Sequence, residues 1–334
     1  MNLIANRFLA VHAALTLAIA GGAAAGTISN VQVLTSSFGL HNQYDSINGL
    51  SQVTTNGINV SGAATASVGP INASVGLNSQ SFDANNNRTS FSSASAYANL
   101  AAGTIGVSAA GSLSVNTASC CSLASAQAAL QDTLTFSNTT GHVVDIDVFW
   151  TFDGSVTSNA TSRNDFGSYF CFEAAPSCQV QGAIGGGGIV QPLSNARFNY
   201  QYSVVGFGGL SVTTPGSGFV SSSYTSTPLS PGQTLSTGLT DVVVTFHGIY
   251  GLAAGTSVEN VYGNLTAFCG GGVIASQGCD FSHTGALSFN LADPGVSFTS
   301  ASGVLLTQQA PEPVTGLLLI CGLAAAVAAR QRAV

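Results

Sequence analysis

Val143-Val144-Asp145-Ile146-Asp147-Val148-Phe149-Trp150-Thr151-Phe152 is the stretch that decides the fold. Val144, Ile146, Val148, Trp150 and Phe152 fall on one face of an extended chain, and Asp145, Asp147 and Thr151 on the other. Successive side chains of a strand point to opposite faces, so this alternation predicts a strand with one buried face. Trp150 lies on the inward side and reads as core. Asp153-Gly154 follows and predicts a hairpin turn. The same period recurs in Leu134 and Phe136, in Phe198, Tyr200, Tyr202 and Val204, and in Val242, Val244 and Phe246. It recurs again in Leu287, Phe289 and Leu291, then in Val296 and Phe298. Thr214-Pro215-Gly216, Ser230-Pro231-Gly232 and Asp293-Pro294-Gly295 separate these runs as turns. Many short one-sided strands between Gly/Pro turns predict an all-β chain, an antiparallel β-sandwich of jelly-roll-like order.

Upstream, residues 26–111 are rich in Ser, Ala, Asn and Gly. Residues 57–61, 67–77 and 94–100 alternate apolar with small polar residues, which is strand patterning with small side chains. Asp83-Ala84-Asn85-Asn86-Asn87 predicts a loop. Ser122–Gln131 is the one helical-looking stretch. Gly185–Gly188 reads as a flexible loop and not a phosphate cradle, since no Lys and helix follow it.

Charged residues make up 6% of the 334-residue chain, against a norm of about 25%. Lysine is absent. Setting aside Arg7, Arg330, Arg332 and Glu312 leaves three arginines against twelve carboxylates, a charge of −9. A basic surface for nucleic acid or anionic lipid is excluded. Apolar residues are 45% of the chain, so this is not the composition of a disordered segment. Six Asn-x-Ser/Thr sequons, at Asn59, Asn72, Asn87, Asn138, Asn159 and Asn264, are what chance supplies in so Asn-, Ser- and Thr-rich a chain.

Both ends carry address-like segments. Arg7, the apolar run Phe8–Ala20 and Ala23-Ala24-Ala25 have the order of a secretory signal peptide over residues 1–25, cut by signal peptidase before Gly26. At the other end, Pro311-Glu312-Pro313 precedes sixteen uncharged residues, Val314–Ala329, and then Arg330-Gln331-Arg332. Sixteen residues make a helix of about 24 Å, short for a hydrocarbon core of roughly 30 Å. Arg330 and Arg332 would stop the span and stay cytoplasmic. The paired prolines stiffen the chain outside the membrane. A plain anchor that is never cut and a buried core helix are the alternative readings, the second disfavoured because nothing nearby is helical enough to pack with it.

This three-part tail, residues 310–334, resembles the PEP-CTERM sorting signal of Gram-negative bacteria. The strand at Asp132–Phe136, the Asp153-Gly154 turn and the closing Phe281–Thr307 stretch also resemble the β-sandwich passengers that such proteins carry. The resemblance implies an exosortase-like enzyme as processing partner, cutting at or near the triplet. It implies an inner-membrane intermediate, then a place on the cell surface or outside the cell. It also implies association with exopolysaccharide in biofilm-forming bacteria. Residues 26–309 would be the passenger.

Six cysteines lie outside the membrane span: Cys120, Cys121, Cys171, Cys178, Cys269 and Cys279. Export favours disulfides, and Cys171 with Cys178 and Cys269 with Cys279 are the economical pairs. Cys120-Cys121 could bridge each other or reach elsewhere. Cys321 falls within the span and reads as a small apolar residue. No Cys-x-x-Cys or His-x-x-x-His spacing supports a metal site.

Catalytic motifs are missing. There is no Gly-x-Ser-x-Gly elbow and no His-Glu-x-x-His. His41, His142, His247 and His283 are scattered, and each reads as a surface or packed histidine. Asp145 and Asp147 share a strand face and could hold calcium, with Asp153 and Asp165 joining through loops. The plainer reading is that they solvate the outer face of the strand. The same pair could serve a glycosidase, which needs carboxylates about 5–10 Å apart. The sequence therefore favours a non-enzymatic surface or matrix protein without a cofactor. A carbohydrate-binding sandwich using calcium is the alternative, and a secreted glycoside hydrolase a distant third.

Overall fold

The computed structural model describes residues 27–37, 40–45, 49–54, 60–68, 72–82, 88–113, 122–158, 162–174, 178, 197–203, 209–215, 218–231, 233–234, 238–271 and 276–306. The signal-peptide segment, Cys120, Cys121, the Gly185–Gly188 run and the whole tail with Pro311, Glu312, Pro313, Cys321, Arg330 and Arg332 lie outside these residues. Among the described residues no helix is long and apolar enough to cross a membrane.

Seventeen strands follow one another among the described residues. They are β1 (Thr27–Ser37), β2 (Leu40–Asp45), β3 (Gly49–Thr54), β4 (Val60–Val68), β5 (Asn72–Phe82), β6 (Arg88–Asn99), β7 (Thr104–Leu113), β8 (Ser122–Asn138) and β9 (Val144–Ser158). Then come β10 (Ser162–Ala174), β11 (Arg197–Ser203), β12 (Gly209–Thr213), β13 (Ser221–Thr227), β14 (Gly238–Leu252), β15 (Gly255–Gly271), β16 (Ser276–Asn290) and β17 (Val296–Ser300). All pairings are antiparallel. Sheet A has the order β12-β11-β10-β15-β8-β1-β2-β3, with β17 also beside β8. Sheet B has the order β13-β14-β9-β16-β7-β6-β5-β4.

The inward faces of the two sheets share one core. Its β5–β7 half is built of small residues such as Ala73, Ala94, Ala96 and Ala109. Its other half is aromatic, with Phe136, Trp150, Phe152, Phe166, Phe170, Phe198 and Phe246. The Val144–Phe152 alternation holds: Ile146, Val148, Trp150 and Phe152 are buried and Asp145 is exposed. Trp150 links the sheets. Its Nε1 donates to Ser168 Oγ at 2.6 Å, and that hydroxyl donates to the Asn264 carbonyl at 2.8 Å. Its ring stacks on Phe170 with centroids 5.4 Å apart and lies close against Gly263 of β15.

Two local expectations are overturned. Ser122–Gln131 is not helical but the first ten residues of β8, paired with β1 on one edge and β15 on the other. Ala124, Ala126, Ala128 and Leu130 face the core, while Gln127 and Ala129 on the opposite face are buried too. A strand buried on both faces loses its alternation, and alanine then mimics a helix former. Asp153-Gly154 is not a hairpin turn either; both residues lie inside β9, opposite Val243 and Val242 of β14. The β16 register shifts between Asp280 and Thr284, and the displaced chain leans on Gly154. A Cβ there would strike the Asp280 carbonyl and the Phe281 ring. The glycine serves a close backbone approach, not a turn. The expected Asp293-Pro294-Gly295 turn does form, with the Val296 amide donating to the Asp293 carbonyl at 3.0 Å.

Both economical cysteine pairs are bridged. Cys269 and Cys279 have Cα atoms 6.4 Å apart and join β15 of sheet A to β16 of sheet B inside the core. Cys171 and Cys178 have Cα atoms 5.9 Å apart and lie on the outer face of sheet A, in a small cluster with Ala129, Tyr169 and Tyr262.

One edge of β8 is shared. β1 pairs with residues 123–131 and β17 with residues 134–138. Past β17 the chain is pinned: Ser302 Oγ donates to Asp132 Oδ2 at 2.5 Å, and the Leu306 amide donates to the Leu100 carbonyl at 3.3 Å. Leu305 and Leu306 enter the core. At the far end of β8, buried Asn138 donates to the carbonyls of His142, Leu252 and Ala253 and accepts from the amide and hydroxyl of Thr140. Asn138→Ala strips the Leu252 carbonyl of a buried partner. We expect a loss of about 1–3 kcal/mol, read as a lower urea midpoint at unchanged slope.

Candidate functional site

The outer face of sheet B carries two side-chain groupings. In the first, Asp147 of β9 stands opposite Asn290 of β16 and Ile249 of β14. Asp147 Oδ1 lies 2.7 Å from His247 Nε2, and Oδ2 accepts from Asn290 Nδ2 at 3.2 Å. His247 stacks on Phe149 with centroids 4.6 Å apart and planes 9° from parallel. Each member comes from a different strand or a different row, so register alone assembles the group.

The grouping separates the sequence candidates. Asp147 has both oxygens engaged by nitrogen groups. Asp145 sits one row away, opposite Gly251, and is exposed. Asp153 is farther along the same strand. Asp165 cannot join them: it belongs to β10, opposite Phe268 in sheet A. Among the described residues no three His, Cys, Asp or Glu side chains come together as a metal group. His142 is exposed in the turn after β8, its Nδ1 3.2 Å from the Thr140 carbonyl oxygen. His41 and His283 have backbone in β2 and β16, and their side chains lie outside what is described.

The second grouping escaped the sequence reading. Tyr97 of β6 faces Gly106 of β7 across the ladder, and its ring covers the glycine. Asn72, Ser74, Asn99 and Thr104 border the ring, and together they line a shallow cleft of about 250 Å³. Burial pushes the Tyr97 hydroxyl above the usual phenol range, and the Asp153 charge adds to it, while a hydrogen bond with Thr104 works the other way. An aromatic ring rimmed by amides and hydroxyls suits a neutral, hydroxyl-rich ligand. The available signal was Tyr97 within the Ala94–Leu100 alternation, but its glycine partner is visible only through the register.

A third polar group lies inside. Glu259 of β15 is buried, facing the core with Tyr250 of β14. Burial pushes its carboxyl up and nearby Glu173 adds to that, while the Tyr250 hydrogen bond opposes. Tyr250 is itself pushed well above the phenol range, first by burial. A raised carboxyl pKa means that the folded state holds a proton the unfolded chain releases. Its stabilisation is complete below the unfolded value of about 4.3 and is lost as pH rises through the folded value. Glu259→Gln keeps an acceptor for Tyr250 and removes the titration. We expect the variant to gain melting temperature over the parent at pH 8 and to gain little at pH 4. Equal gains at both would show that Glu259 ionises as a free carboxyl.

No family model, curated protein or solved structure matches this chain.

Proposed function

We propose that the chain is an exported, non-enzymatic component of the cell surface or extracellular matrix, carried as a disulfide-stapled β-sandwich and sorted through a PEP-CTERM-type tail. The observation that carries the reading is the pair of bridges, Cys171–Cys178 and Cys269–Cys279, which fits an extracellular or periplasmic location. The central strand order supports a jelly-roll-like sandwich: β17-β8-β15 in one layer and β7-β16-β9-β14 in the other, the chain switching sheets at β7–β8–β9–β10 and β14–β15–β16–β17. Signal peptidase and an exosortase-like enzyme act on the two ends, an inner-membrane form with its C-terminus in the cytoplasm comes first, and exopolysaccharide is the partner outside.

The test is the intact mass of the protein from cells and medium, with and without reduction. A species running from about Gly26 to near Pro311, gaining the mass of two or three broken bridges on reduction, supports the reading. A species that keeps Val334 and stays in the inner membrane overturns it.

Carbohydrate binding is the second reading, favoured by the Tyr97 cleft. In its calcium-dependent form Asp145 and Asp147 would take the cation, Asp147 exchanging its contacts with His247 and Asn290. Retention on neutral polysaccharide that vanishes in Tyr97→Ala, at unchanged melting temperature, supports it; equal retention of parent and variant sinks it.

A further inference from the structure

We propose that sheet B runs on from one copy of this chain to the next, the outer edge of β4 in one molecule pairing with the outer edge of β13 in another. The two strands close opposite ends of sheet B, and no described strand pairs with their outer edges. Every second residue of an edge strand turns its amide and carbonyl away from the sheet, so each edge is a template for another strand.

Proteins blunt such edges with charge, proline or a bulge. β4 reads Val-Ser-Gly-Ala-Ala-Thr-Ala-Ser-Val and β13 reads Ser-Ser-Ser-Tyr-Thr-Ser-Thr, with no charge and no proline in either. Lysine, the usual edge guard, is absent from the whole chain. The β4–β5 and β13–β14 registers run without a shift, whereas β5–β6 and both pairings of β16 carry one. Among the described residues the edges are therefore regular and unguarded over nine and seven residues.

Sheet A differs at the same end. The Gln233 carbonyl accepts the Leu210 amide of β12 at 3.2 Å, and Leu229 of the same connection is buried in the core. The β13–β14 connection thus contacts the β12 edge, while no described strand pairs with the outer edge of β13. That asymmetry fits a single-sheet contact.

A second copy is the occupant that these edges suit. Chains of net charge −7 repel one another, and β4 and β13 bring them together where neither strand is charged. The two edges differ and lie at opposite ends of one sheet, so the contact is head-to-tail and does not close. Such contacts build open filaments. The inference holds whether or not the tail is cut, so its failure and that of the sorting reading are separate.

The test uses the full chain in mild detergent, followed by sedimentation velocity and electron microscopy. Two edge variants are made, Ser223→Lys with Thr225→Lys on β13 and Ala63→Lys with Thr65→Lys on β4. The parent is expected to form a concentration-dependent series beyond the dimer. Each variant alone should be monomeric at the parent's melting temperature, and a mixture of the two should stop at the dimer. Variants that still dimerise alone would mean that each edge pairs with itself, and the head-to-tail contact would be wrong. Amide hydrogen exchange on the parent supplies an arm that needs no variant. Protection should rise with concentration in β4 and β13 and stay level in β12; no rise in β4 and β13 overturns the proposal.

Discussion

Trp150→Ala is expected to destabilise the sandwich by about 3–5 kcal/mol, a fifth or more of the stability of an ordinary domain. The indole is fully buried and touches both layers: it stacks on Phe170, covers Gly263 and donates to Ser168. Phe170 and Gly263 are paired in sheet A, so the ring spans a rung of the opposite ladder. Removing it leaves a cavity that two rigid sheets cannot close. Gly263→Ala should fail for the converse reason, since its Cβ would fall 2.5 Å from the Trp150 ring. Overpacking of this kind costs about 1–3 kcal/mol. The two sites are coupled, so Gly263→Ala should cost less in a Trp150→Phe background. Urea unfolding followed by circular dichroism reads all four corners of this cycle. Equal costs of Gly263→Ala in both backgrounds would show that the contact is not what excludes a side chain there. Trp150 is also the sole tryptophan, so the parent's fluorescence reports this one contact.

Loss of both disulfides is expected to cost about 5 kcal/mol, at about 2–3 kcal/mol for each short loop. The two bridges should not go together. Cys178 is partly exposed on the outside of sheet A, whereas Cys269 and Cys279 are sealed between the sheets. Mild reductant under native conditions should open Cys171–Cys178 first and lower the melting temperature by a first step. Cys269–Cys279 should resist until the sandwich opens, and then the second step follows. Thiol counting during reduction, with melts at each stage, checks the order. Simultaneous release of four thiols would show that the core bridge is as open to solvent as the outer one.

The strands that the sequence made legible are those with one wet face. Val144–Phe152 alternates because Asp145 and Asp147 look outward while Ile146 and Trp150 look inward. Ser122–Gln131 was unreadable for a physical reason: both faces of that part of β8 are covered, so no period of two survives. Asp153-Gly154 carried a turn signature that the β16 bulge overrode, since the glycine was needed for clearance. Two disulfides were legible because a short spacing is a local property. The Asp147–His247 contact was not, because it joins residues 100 positions apart. The Tyr97 cleft likewise exists only once β6 lies beside β7 and β5.

The shared edge of β8 also sets a clock. The strand spans residues 122–138, yet its neighbours are β1 at 27–37, β15 at 255–271 and β17 at 296–300. A chain delivered N-terminus first can zip β1 onto β8 at once, but the opposite edge waits for more than a hundred further residues. The last rung waits for residues 296–300, and the Asp132 latch for Ser302. Such long-range pairing is slow, and an unfinished edge stays sticky meanwhile. Completion of the described sheets is thus gated by arrival of β17, and truncation ahead of residue 296 should leave a chain that collapses without locking.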